Sequence, residues 1–132
     1  MSDFSPEWLD LREAADARAR NAGIANAVAA RFALRSELGV LDLGSGTGSN
    51  LRATAPLLPA RQKWNLVDRD TSLLDAAKAK LIRWSDRHEE NSETLEIEKG
   101  GRQISVTFRS ADLASDTRAL LDEGPQLVTA SA

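Results

Sequence analysis

The run Val40-Leu41-Asp42-Leu43-Gly44-Ser45-Gly46-Thr47-Gly48 constrains this chain more than any other segment. A short apolar strand ends in a carboxylate, three glycines follow at alternate positions, and the next residues open a helix. Gly44 lets the chain turn sharply out of the strand, and Gly46 lets ligand atoms approach the backbone without meeting a Cβ. Strand, glycine turn and helix in that order make a nucleotide-binding turn.

Two details bear on the ligand. A dinucleotide fingerprint begun at Gly44 needs glycine or alanine where this chain has Ser49, so the match is imperfect. Asp42 lies two residues before the first glycine, where a pyrophosphate would sit, and a carboxylate there repels phosphate. A cationic or amine-bearing ligand is favoured. A phosphate-cradling loop of the Walker type needs a lysine and a hydroxyl after its last glycine, and Gly48 is followed by Ser49-Asn50-Leu51 instead.

The motif resembles that of the class I methyltransferases that use S-adenosylmethionine, whose first motif is an acidic residue followed by G-x-G-x-G. Asp42, Gly44, Gly46 and Gly48 fill it. The resemblance implies a ligand with an ammonium, a sulfonium and no phosphate, in agreement with the acidic entry to the loop. It also implies cofactor contacts from Asp42, Gly44, Ser45 and Gly46.

A chain of 132 residues with net charge −3 has the length of one domain with a modest core. We read residues 1–38 as two leading helices and 39–132 as a Rossmann-like core, together a single S-adenosylmethionine-binding domain. There is no cysteine, no apolar run of membrane-spanning length and no basic-then-apolar leader, so a cytoplasmic protein without a membrane partner is expected. The acidic balance argues against a broad nucleic-acid surface.

Ser5-Pro6 looks like a helix start, with the first helix running to about Arg20. Ile24, Ala27, Val28 and Phe32 recur at helical spacing and give a second helix ending before Gly39. Another helix begins near Gly48, carries Leu51, Thr54 and Leu57, and is shortened or bent by Pro56. Trp64 to Asp68 forms the second strand, and Leu73, Ala77, Leu81 and Trp84 mark one face of the long helix after it. Leu95 and Ile97, then Ile104, Val106 and Phe108, alternate with polar residues around Gly100-Gly101, which predicts a hairpin whose second arm is the third strand. A short helix over Asp116 to Leu121 leads to the fourth strand, Gln126 to Thr129. This alternation predicts an α/β domain: a mainly parallel, three-layer Rossmann-like methyltransferase sheet covered on both faces. By the resemblance its strand order is 3-2-1-4.

Ligands of such sheets lie at the carboxyl ends of the strands. Asp42 ends the first strand, Asp68 ends the second and Asp112 follows the third, so three distant segments converge on one crevice. Asp68 stands 24 residues beyond Gly44, near the distance at which an acid accepts hydrogen bonds from ribose hydroxyls. The resemblance assigns it the same role. It also makes Asp112 the acceptor for the adenine amino group, with Leu113 offering a backbone contact; a helix-capping aspartate is the plainer alternative. Arg69 either stacks on the adenine or is a solvated loop arginine. Asn50 either contacts the amino acid end of the cofactor or caps the helix. Trp8, Arg12, Asp16 and Arg18 share the first helix, which in similar enzymes can cover the cofactor, or form a solvated face. His88 is expected to be exposed, and one histidine without cysteines makes no metal site.

The implied chemistry is in-line attack on the methyl carbon of a sulfonium, where orientation of two bound reactants supplies much of the acceleration and no dedicated nucleophile is needed. Family members that methylate nucleobase or glutamine amides carry an acidic or asparagine residue and two prolines after the fourth strand. This chain has Thr129-Ala130-Ser131-Ala132 there, which weakens that acceptor class and leaves the small-molecule acceptor unidentified. Family members usually continue through three more strands, so the resemblance covers the cofactor half and implies truncation after the fourth strand, with turnover absent in this chain alone. A homodimer through the exposed edge of that strand is then expected. A non-catalytic Rossmann-like module that binds a nucleoside or a protein partner is the alternative, and NAD chemistry a third reading.

Overall fold

The computed structural model describes residues 22–130. The expected first helix, with Trp8, Arg12, Asp16 and Arg18, lies outside them. The elements are α1 (Ala22–Phe32), β1 (Glu37–Leu43), α2 (Ser49–Thr54) running into a 3-10 turn (Ala55–Leu57), β2 (Arg61–Asp68), α3 (Thr71–Trp84), β3 (Arg87–Glu90), β4 (Leu95–Lys99), β5 (Arg102–Ser110), α4 (Leu113–Leu121) and β6 (Leu127–Ala130). Pro56 lies at the start of the 3-10 turn, where its missing N–H cannot continue the α2 hydrogen-bond ladder.

The six strands form one mixed sheet in the order β3-β4-β5-β2-β1-β6. Parallel pairing joins β5 to β2, β2 to β1 and β1 to β6, whereas β3–β4 and β4–β5 are antiparallel. The expectation of a mainly parallel sheet ordered 3-2-1-4 is therefore corrected. The cause is local: Gly100 and Gly101, both at positive φ, fold β4 back against β5 with Lys99 opposite Arg102. The Arg87–Glu90 segment then pairs with β4 as an additional edge strand.

The two faces of the sheet are covered unequally. Leu38 and Val40 of β1, Trp64 and Leu66 of β2, and Ile104 and Val106 of β5 alternate onto one face, where they bury against Phe32, Leu51, Leu74, Ala77 and Leu81 from the helices. Period-two strands meeting period-3.6 helices produce this main core. On the other face, among the described residues, Leu41, Val67 and Leu120 form a smaller buried apolar cluster, with Leu43, Ala111 and Leu113 packed against it. Polar pairs also lie on that face: Lys63 with Glu37 at 3.2 Å, Ser105 donating to Glu96 at 2.6 Å, and Thr107 donating to Asn65 at 3.1 Å. Among the described residues, the expected second helical layer is α4 alone.

A polar pair is built into the main core. Gln62, buried beside Trp64, accepts from Trp64 Nε1 at 2.8 Å and donates from Nε2 to the carbonyls of Ala55 and Pro59, each at 2.9 Å. The side chain thereby pins the α2–β2 connection to the sheet. No helix among the described residues is long and apolar enough to cross a membrane.

Candidate functional site

The glycine loop is a tied structure. Gly44, Gly46 and Gly48 have φ of 66°, 55° and 83°, values that side-chain-bearing residues rarely adopt. Ser45 donates its N–H to the Val67 carbonyl at 3.0 Å, Gly48 to the Ser45 carbonyl at 3.0 Å, and Gly46 to Asp68 Oδ2 at 2.9 Å. The end of β2 thus holds the loop that leaves β1. In a phosphate-binding loop such amides point at the ligand; here a carboxylate occupies that of Gly46.

Asp42 is fully buried at the end of β1. Its Oδ1 accepts from Thr129 Oγ1 at 2.8 Å and from Asn50 Nδ2 at 3.1 Å, whereas Oδ2 is buried without a hydrogen-bond partner. Burial pushes the Asp42 carboxyl above its ordinary range; the bonds from Asn50 and Thr129 pull it down, and the Asp68 charge adds a push upward. An orphaned carboxylate oxygen at this depth requires a proton or a donor from outside. The Ser45 hydroxyl, also buried in the loop, is a second side-chain oxygen with no partner.

Asp68 accepts two backbone bonds, from Gly46 to Oδ2 and from Asp70 to Oδ1, each at 2.9 Å. Asp70 is the residue that caps α3, accepting from the Ser72 N–H at 2.9 Å. Asp68 therefore combines its position at the strand end with a tether on the loop. Arg69, next to it, is exposed, and its carbonyl accepts a long bond from Ser110 Oγ at 3.4 Å. Asp112 is exposed and caps α4 through the Ala114 N–H at 2.9 Å, while Leu113 is the half-buried first residue of that helix.

The structure places Asp42, Gly44, Ser45, Gly46, Asn50 and Asp68 at the adjoining ends of β1 and β2 in two hydrogen-bonded groups. One is Asp42 with Asn50 and Thr129; the other is the Ser45 and Gly46 backbone with Val67 and Asp68, with Gly44 in the turn between Asp42 and Ser45. Asp112 occupies the capping position on α4 and shares no bond with either group among the described residues. Asn50 lies in the first turn of α2, whose N-cap is Gly48, and its amide donates to Asp42. Thr129 is the member that sequence reading left out. Its signal lies in register: β6 pairs with β1 so that Thr129 stands directly opposite Asp42. His88 is exposed on β3, and no group of three or more metal-ligating side chains occurs among the described residues. Two broad hollows of about 710 and 690 Å³ lie away from the loop and share Glu37, Lys63 and Ser105 in their walls.

No protein-family model matches the chain, and neither does any curated protein. Among solved structures, the chain is similar to an arsenic(III) S-adenosylmethionine methyltransferase from Chlamydomonas reinhardtii, at 23% identity and a TM-score of 0.49. The match covers 71% of this chain and 28% of that enzyme, so this chain corresponds to under a third of its length.

Proposed function

We propose that this chain is the cofactor-binding half of a class I methyltransferase, holding S-adenosylmethionine over the glycine loop for transfer of its methyl group to a small-molecule acceptor. One observation carries the reading: two carboxylates, Asp42 and Asp68, back the same loop, and one of them fills the amide that a phosphate would need. Such a loop repels a pyrophosphate and suits a ligand with an ammonium group. The residues fit that group, since Asp42 Oδ2 is an orphaned acceptor.

S-adenosylmethionine supplies, when bound, a methyl group already activated on a sulfonium. Asp42 receives the ammonium of its amino acid end, the Gly44–Gly46 backbone admits its body, and Asp68 accepts from the ribose diol with the lone pairs its two backbone bonds leave. Arg69 and Asp112 with Leu113 border the adenine end. These residues bind and orient, and orientation is what an activated electrophile requires from its enzyme. No residue of this chain is assigned as a base.

The test is thermal unfolding of the purified chain with S-adenosylhomocysteine, with NAD as control. At about 100 times its dissociation constant the ligand adds about 2.7 kcal/mol, a rise of roughly 10 °C for a domain of this size. Stabilisation by the homocysteine compound alone supports the reading, and stabilisation by NAD alone overturns it. The apolar edge of β6, where Val128 is 41% exposed, favours a second reading as a non-catalytic interaction module. A chain that responds to neither ligand supports that one.

A further inference from the structure

Asp42 is held from two sides. Thr129 on β6 and Asn50 on α2 both donate to Oδ1, at 2.8 and 3.1 Å, and Oδ2 is left buried with no partner. The terminal torsion of an aspartate is broad and nearly two-fold, so an unrestrained carboxylate presents either oxygen. Two donors converging on one oxygen from separate elements fix which oxygen is spare. Thr129 stands opposite Asp42 in the β1–β6 register, and its side-chain hydroxyl has one proton to give, which goes to that carboxylate.

We propose that Thr129 is a positioning residue for the ligand's ammonium group, acting through Asp42: its hydroxyl occupies Oδ1 and keeps Oδ2 as the acceptor. The inference rests on the reading of the loop as an S-adenosylmethionine site and adds to it a contribution from the fourth parallel strand. Seating of β6 and recognition of the amino acid end of the ligand then become one event. A threonine lacking this role would be a half-buried strand residue, for which valine is an equal substitute.

Thr129→Val removes the hydroxyl and retains the shape, and Thr129→Ser retains the hydroxyl. Binding of two probes is measured by titration calorimetry on the full chain: S-adenosylhomocysteine, which carries the ammonium, and 5′-methylthioadenosine, which has the same nucleoside and sulfur but lacks the amino acid. The expected result is that Thr129→Val weakens S-adenosylhomocysteine about tenfold, the scale of one charge-assisted hydrogen bond, and leaves methylthioadenosine unchanged. Thr129→Ser restores the wild-type value. Equal weakening of both probes marks a general structural role and overturns the inference, as does an unchanged affinity for both. Wild-type chain that binds neither probe overturns the cofactor reading and the inference with it, an outcome distinct from wild-type binding insensitive to Thr129. Should Thr129→Val fail to fold, Thr129→Ala is measured with the same pair of probes, and the same selective loss is expected.

Discussion

Gly46 donates its backbone N–H to Asp68 Oδ2 at 2.9 Å, across a sequence separation of 22 residues. This bond joins the turn after β1 to the end of β2, and Ser45 reinforces it through the Val67 carbonyl. The acid at the second strand end is thus part of the loop's construction as well as a candidate ligand group. Hydrogen bonds to a charged partner contribute about 1.5–3 kcal/mol each, and Asp68 makes two to backbone N–H groups. Asp68→Ala is expected to lose about 2–4 kcal/mol, measured by urea unfolding with no ligand present. Asp68→Asn, which keeps one acceptor oxygen, should lose less. An alanine variant that unfolds at the wild-type midpoint would show that the tether contributes nothing.

Asp42 makes stability depend on pH in an unusual direction. Its carboxyl titrates near 3.8 in the unfolded chain and higher in the folded one, chiefly because burial penalises the charge. Between those two values the folded state holds more protons, so the contribution of Asp42 to stability falls as pH rises through the window and is level above it. Asp42→Asn removes that dependence while retaining an oxygen for Asn50 and Thr129. Measured from pH 3 to pH 7, the stability difference between variant and wild type should move in the variant's favour. A difference that is constant, or that moves the other way, would mean that Asp42 is not raised.

The Gln62–Trp64 pair lies away from the loop and tests the main core. Replacing Gln62 by Met leaves Trp64 Nε1 without its acceptor and the Ala55 and Pro59 carbonyls without this donor. Buried polar groups stripped of partners cost about 1–3 kcal/mol each, so a loss of about 2–4 kcal/mol is expected for Gln62→Met. Trp64→Phe removes the indole N–H as well. In a double-mutant cycle the two substitutions should couple by about 0.5–3 kcal/mol. Strict additivity would deny the bond any energetic role.

The glycine turn, the acid before it and the acid at the second strand end are legible in sequence because each is a local pattern of residue types at fixed spacing. β3 is not: Arg87-His88-Glu89-Glu90 has no apolar alternation, is exposed throughout, and becomes a strand because β4 offers its edge. Thr129 escapes for a related reason. Nothing in Leu127 to Ala130 marks a hydroxyl as special until β6 is set in register against Asp42. Asn50 was legible as a polar residue at the helix start, yet its partner depends on the path of the loop. Pairing and register decide these residues, and a single sequence carries neither directly.

The two edges of the sheet differ in how they resist other strands. β3 carries Arg87, His88, Glu89 and Glu90, four exposed polar residues of the kind that discourage pairing. β6 carries Leu127, Val128, Thr129 and Ala130 and, among the described residues, pairs with β1 alone. An apolar edge with unpaired backbone groups is a template for another strand, and a second β6 running antiparallel would satisfy both copies at once. The 132-residue chain should therefore self-associate with rising concentration in sedimentation velocity, and Val128→Lys should shift it toward monomer by placing a charge at the contact. Because Val128 is 41% exposed, the substitution should change the unfolding free energy of the monomer by no more than about 0.5 kcal/mol, so loss of association would not reflect loss of folding. A wild-type chain that stays monomeric across the accessible concentrations would show that β6 is protected by means other than pairing with its own kind.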